Sequence, residues 1–192
     1  NELVLEIALR RAKMLNQPVL IEATANQVNQ YGGYTGMLPK DFYKLVLDMA
    51  AEIDLPEQMV ILAGDHLGPL TWQNLSEAEA MEKSIELVYQ YTHAGFTKIH
   101  LDTSMKVADD AEGLLSTEVI ARRGATLYKA AIKGYEELKA EKPDAIRPVF
   151  VIGSEVPIPG GAQEAEDSLA VTSVAAFKDT VATYKRVWEE EG

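Results

Sequence analysis

Leu5, Ala8, Leu9, Ala12 and Leu15 recur at helical spacing and predict an amphipathic helix over residues 1–16, which Asn16-Gln17-Pro18 stops. An apolar run over 19–24 then reads as a strand. A Gly-rich connection over 31–36 leads to Pro39 at a first helical turn, with Phe42, Leu45, Val46, Met49 and Ala50 as the buried face of a second helix. Residues 59–64 form a continuous apolar strand, 65–73 a polar turn, and Ser76-Glu77-Ala78-Glu79 a capping box that opens a third helix. Residues 97–102 read as the third strand, 117–142 as a long helix, 149–153 as the fourth strand and 174–191 as the last helix. Pro143 and Pro148 bracket one turn, and a Pro/Gly loop over 157–161 makes another.

Short apolar strands thus alternate with helices at a repeat of about 40 residues, the signature of βα units on a parallel sheet. No composition break divides residues 1–192, so the pattern predicts a single domain. An α/β doubly wound sheet and the first half of a (β/α)8 barrel, which needs about 250 residues, both fit. Asn26, Asp65-His66, Asp102 with Ser104, and Glu155 each fall at or just after a strand's C-terminal end. A doubly wound sheet gathers such residues at one switch point, whereas a barrel collects them from every strand onto one rim. That distribution favours a partial TIM barrel with the first four or five βα units in this chain. The chain also lacks an initiator Met and closes on a helix followed by Gly192, so more sequence is expected beyond it.

Composition narrows the function classes. Eighteen Lys and Arg against thirty Asp and Glu give a net charge of −12, and no basic stripe appears, which argues against nucleic acid and anionic membrane as partners. The absence of cysteine excludes disulfides, thiolate metal sites and a Cys nucleophile, and no long apolar run predicts a membrane span. Residues 1–16 do not have the layout of a signal peptide, so the expected location is the cytoplasm.

Among the polar residues, Asp65-His66 between Gly64 and Gly68 is the most specific pair: an acid and an imidazole at a strand end can supply a proton acceptor and a metal ligand to one pocket. A turn cap beside a structural histidine would look the same. Lys98, His100 and Asp102 alternate with Ile99 and Leu101, so all three are expected on one face, toward the barrel axis, where they need partners. Such a set serves equally as a buried polar layer or as ligand contacts. Ser104 is placed to orient Asp102. Glu22 and Thr24, with Asn26 and Gln27 beyond them, read as interior polar filling or ligand contacts, and Glu155 as an acid in a turn. His93 near Gly95 suits a helix C-terminus. No His-x-x-x-His, Walker loop, G-x-G-x-x-G or G-x-S-x-G pattern is present.

Four blocks of sequence resemble a known family. They are residues 19–28 with Tyr31-Gly32-Gly33-Tyr34-Thr35-Gly36-Met37; Gly64-Asp65-His66-Leu67-Gly68-Pro69 with Trp72-Gln73-Asn74-Leu75; residues 95–105; and residues 151–162. In this order they resemble the GatZ/KbaZ family, non-catalytic subunits of class II D-tagatose-1,6-bisphosphate aldolase, some of which carry the label tagatose-6-phosphate kinase. Members are about twice this length, in keeping with a half barrel. The family is in turn similar to the catalytic class II aldolases, which are βα barrels.

By that resemblance Asp65 matches the general acid/base and His66 one zinc ligand. Asp102, Ser104 and Glu155 match further aldolase positions near the rim, and together with Glu22, Asn26 and His100, read from the strand pattern, they are the expected substrate contacts. The other zinc ligands fall beyond residue 192, so zinc binding calls for those or for ligands from a partner. Glu155 heads Val156-Pro157-Ile158-Pro159-Gly160-Gly161, where two prolines stiffen what is a mobile loop in the aldolases. The resemblance implies an oligomer in which this protein binds the catalytic aldolase subunit and supports it in galactitol, N-acetylgalactosamine or tagatose catabolism, with a sugar phosphate as a further expected ligand. A metal-dependent sugar-phosphate aldolase in its own right is the alternative, and a kinase is a weaker one because nothing resembles a nucleotide site.

Overall fold

The computed structural model describes residues 1–153 and 173–192. Among these residues five α-helices and four strands alternate: α1 (Glu2–Leu15), β1 (Val19–Thr24), α2 (Pro39–Glu52), β2 (Val60–Leu67), α3 (Glu77–Ala94), β3 (Lys98–Leu101), α4 (Thr117–Glu141), β4 (Val149–Ile152) and α5 (Val174–Glu191). The strands pair in parallel in the order β1-β2-β3-β4. Strand order never reverses among the described strands, so they form no switch-point crevice of the doubly wound kind. None of the described helices is long and apolar enough to cross a membrane.

The helices begin and end where their caps dictate. Asn1 accepts the Leu3 N–H at 3.0 Å to start α1, and Asn16 stops it in a left-handed conformation with φ 51°. Of the stripe expected on α1, Leu9 and Ala12 are buried and Leu5 and Ala8 pack against the core, but Leu15 lies in the last turn and is exposed. Phe42, Val46 and Ala50 are the buried face of α2. The capping box of α3 is made in both directions: Ser76 Oγ accepts the Glu79 N–H at 3.4 Å, and Glu79 Oε2 accepts the Ser76 N–H at 3.3 Å. Gly95, at φ 105°, ends that helix.

The main core lies between one face of the sheet and α1 to α4, centred on Leu67, Tyr91, Phe96 and Ile99, each essentially inaccessible to solvent. Tyr91 packs 4.5 Å from Phe96 between ring centres, and its hydroxyl donates to the Val28 carbonyl at 2.9 Å. Burial therefore leaves no unsatisfied phenol there, while it pushes the Tyr91 ionisation far up. A second cluster joins Ile120 and Ala121 of α4 to Tyr184 and Val187 of α5.

Two boundaries beside the candidate residues differ from the pattern. The turn expected from residue 65 is instead the end of β2, which continues to Leu67 through a bulge: Ala63 and Gly64 pair with Lys98 and Ile99, and then Leu67 pairs with Leu101. The third strand stops at Leu101, one residue short of Asp102.

The opposite sheet face bears no described helix. Register and alternation put Leu20, Glu22, Ile61, Ala63, Asp65, Lys98, His100, Val149 and Val151 on it. Its apolar members Leu20, Ile61, Val149 and Val151 are 38–65% exposed.

Candidate functional site

The uncovered face carries its polar residues in two layers. In the first, Glu22, Ala63 and Lys98 share a row across three strands. Ala63 offers only a methyl, so the Lys98 ammonium reaches over it to donate to the Glu22 carboxylate.

The second layer, nearer the strands' C-terminal ends, holds Asp65, His66 and His100. His100 Nδ1 lies 2.9 Å from Asp65 Oδ1 and 3.4 Å from His66 Nδ1, and His66 Nδ1 lies 3.8 Å from Asp65 Oδ1. The two rings meet edge to face, 4.6 Å between centres. Adjacent residues of a regular strand point to opposite faces, so Asp65 and His66 converge on one histidine only because the bulge breaks the alternation. His66 takes φ 50° in the process, a left-handed backbone that a non-glycine residue seldom adopts. Burial opposes ionisation of Asp65, but the hydrogen bond to His100 and the nearby charges of His66, His100 and Lys98 outweigh it and hold the carboxyl below its ordinary range. The trio is partly shielded, with side chains 31%, 19% and 11% exposed for Asp65, His66 and His100.

Among the described residues, no hydrogen bond joins the other expected residues to this centre. Asp102 follows directly after β3, and its N–H still donates to Leu67 O at 3.0 Å. Asp102 is fully buried, and its Oδ1 accepts from Ser104 Oγ at 2.8 Å and from the Ser104 N–H at 3.2 Å. Its Oδ2 has no hydrogen-bond partner among the described residues. Burial, reinforced by the Asp102 charge, pushes the Tyr184 phenol of α5 up to about 12. Asn26 is exposed on the loop after β1, where its Oδ1 accepts from Thr71 Oγ1 at 3.1 Å and so ties that loop to the turn after β2. Gln27 folds back to accept the Thr24 N–H at 2.9 Å. Glu155 and the loop over 157–161 lie outside the described residues.

Two supporting groups escaped the sequence reading. Asn29 holds the loop after β1: its Oδ1 accepts the N–H groups of Tyr31 at 2.8 Å and Gly33 at 3.1 Å, and its Nδ2 donates to Ala25 O at 2.8 Å. Arg123 of α4 is buried and bridges Glu77 at the start of α3 to Asp110 on the loop after β3. Its signal was its phase, since Arg123 falls in step with Ile120 and Leu127 on the apolar stripe of α4.

A donor set of two imidazoles and a carboxylate, with no sulfur, suits a zinc-type cation and also a proton relay. Comparison with known proteins sets this geometry in context. The family described as D-tagatose-1,6-bisphosphate aldolase subunit GatZ/KbaZ-like matches residues 1–192. The crystal structure of a probable tagatose 6 phosphate kinase from Sinorhizobium meliloti 1021 superposes with a TM-score of 0.80 at 41% sequence identity. That match covers 99% of this chain and 43% of the other.

Proposed function

Since the chain belongs to the GatZ/KbaZ-like family of D-tagatose-1,6-bisphosphate aldolase subunits, we propose that it is part of an accessory, non-catalytic subunit of a class II tagatose-1,6-bisphosphate aldolase. The observation that carries this reading is the unbroken match of an aldolase-subunit family over residues 1–192. In this reading residues 1–192 are a single partial domain, the first half of a (β/α)8 barrel. The consecutive parallel strands support that, as does a sheet face on which Leu20, Ile61, Val149 and Val151 stand uncovered around a polar centre. The whole protein then works in the cytoplasm, in an oligomer with the catalytic subunit, on the route that degrades galactitol, N-acetylgalactosamine or tagatose. Glu22, Asn26, His100, Asp102, Ser104 and Glu155 are its candidate contacts to a sugar phosphate. Zinc, where bound, polarises a carbonyl, and His66 is the residue of the aldolase ligand set that this chain supplies.

A ligand that binds only the folded partner must stabilise it. Mixing the whole protein with its cognate catalytic subunit is therefore expected to lengthen that subunit's half-life on heating, and an unchanged half-life counts against the reading. The convergence of Asp65, His66 and His100 favours one competitor, a metal-dependent aldolase in its own right. That competitor requires the whole protein to cleave tagatose 1,6-bisphosphate unaided, with a loss on the order of 10²-fold or more on Asp65→Asn. The accessory reading expects no cleavage without the partner.

A further inference from the structure

We propose that Asp65, His66 and His100 together bind one divalent transition-metal ion of the zinc class, so that a three-ligand metal site is carried wholly by the ends of β2 and β3. This ligand set differs from the one the family resemblance implies, in which His66 joins histidines from beyond residue 192 and Asp65 handles a proton. Here Asp65 is a ligand and His100, a strand away, supplies the second imidazole.

Geometry is the first support. Zinc bonds nitrogen and carboxylate oxygen at about 2.0–2.2 Å, which in a tetrahedral shell sets neighbouring ligand atoms roughly 3.3–3.6 Å apart. The three candidate atoms form a triangle with sides of 2.9, 3.4 and 3.8 Å, which straddles that spacing. A cation near the middle needs only small side-chain adjustments. Chemistry is the second. If the His100 Nδ1–H is donated to Asp65, the His66 Nδ1 facing it is left with a poorly shared proton, because one N–H cannot serve both well. A central cation gives all three lone pairs a partner at once. The third support is backbone. The β2 bulge and the left-handed His66 are costly local features, and their effect is to bring two adjacent side chains to one point on the sheet face.

The surroundings are compatible with a cation. The Lys98 ammonium, whose charge reaches Asp65, is paired with Glu22 in the layer below. Two imidazole nitrogens and one carboxylate oxygen select zinc, cobalt, iron or manganese over magnesium or calcium. Three protein ligands also leave at least one coordination position open for water or an added ligand.

The test uses the whole protein, stripped by a chelator and then titrated with zinc and with cobalt(II). The expected result is tight binding at this site, a raised Tm, and visible absorption from cobalt with imidazole ligands. Both His100→Ala and the milder His100→Gln are expected to weaken that binding by about 100-fold or more, beyond what loss of an outer-shell partner causes. Circular dichroism of the stripped variants separates loss of a ligand from loss of the fold, and His100→Gln preserves shape should His100→Ala fail to fold. Failure of the wild-type protein to bind either ion overturns the proposal. So does binding whose affinity and cobalt spectrum are indifferent to His100, because the metal would then sit elsewhere. Neither readout involves aldolase activity, so failure here is distinguishable from failure of the accessory-subunit reading.

Discussion

Replacing Arg123 with alanine is expected to destabilise the protein by about 3–5 kcal/mol, the cost of leaving a buried charge without its partner. The Arg123 side chain is 1% exposed and makes a two-pronged contact with Asp110, with Nη1 to Oδ2 at 3.1 Å and Nη2 to Oδ1 at 2.6 Å. Its Nε adds a bond to Glu77 at 3.0 Å. Asp110, itself only 9% exposed, also accepts the Val107 N–H at 2.8 Å, so the pair fixes the loop that follows β3. Next to it, Asp109 accepts the Glu77 N–H at 2.7 Å and caps α3 from the same loop. With the guanidinium gone, the Asp110 carboxylate stays buried with one N–H donor. The double variant Arg123→Ala/Asp110→Ala is accordingly expected to recover part of the loss.

The same pair has a pH signature. Burial works against the Asp110 carboxylate, but the hydrogen bonds from Arg123 and Val107, with the Arg123 charge, hold its pKa below the ordinary value. A folded pKa below an unfolded one near 3.9 means that the stabilisation is fully present above about pH 4 and is lost as pH falls through the folded value. Urea unfolding curves of wild type and Arg123→Ala should lie furthest apart near neutrality and draw together in acid. A gap below about 1 kcal/mol at pH 7, the range of exposed ion pairs, contradicts the clamp.

Gly68→Ala is expected to cost on the order of 3 kcal/mol or more and to disturb the candidate site directly. The reason is space rather than dihedral freedom, because Gly68 has an extended backbone with φ 173° that any residue adopts. An added Cβ would lie 1.7 Å from the Asp102 carbonyl oxygen and 2.8 Å from its carbon, both main-chain atoms. Relief requires the end of β2 to part from the chain leaving β3, where the Asp102 N–H donates to Leu67 O at 3.0 Å. Gly113→Ala is a useful control: nothing lies within 4 Å of its Cβ position, so only its φ of 89° opposes the change, at about 1–2 kcal/mol. Thermal unfolding that ranks Gly68→Ala as no worse than Gly113→Ala contradicts the close approach.

These cases mark what the sequence reveals and what it conceals. Apolar runs bounded by Pro and Gly locate the four described strands, and the Ser76–Glu79 box locates the start of α3 to the residue, because both signals are local. Alternation correctly sets Lys98 and His100 on one face, where His100 finds Asp65 on the neighbouring β2 and Lys98 reaches across β2 to Glu22 on β1. The strand's end is less legible, since a strand's last residue depends on cross-strand pairing that no local pattern records. The same limit hides the β2 bulge: a polar pair after an apolar run reads as a turn, although the ladder resumes at Leu67. Alternation would also send His66 away from Asp65, and nothing in a histidine's identity announces a positive φ. Arg123 was legible by phase but unread, because a charged residue on an apolar stripe is usually taken for an exception.

The proposed accessory role requires that this protein act through a catalytic partner. Its most direct test is the initial rate of tagatose 1,6-bisphosphate cleavage measured for the whole protein alone, for the cognate catalytic subunit alone, and for the two together, with zinc present throughout. No turnover is expected from the whole protein alone, and a faster or longer-lasting rate is expected from the pair than from the catalytic subunit. Cleavage by the whole protein alone, or a pair indistinguishable from the catalytic subunit in both rate and persistence, would contradict it.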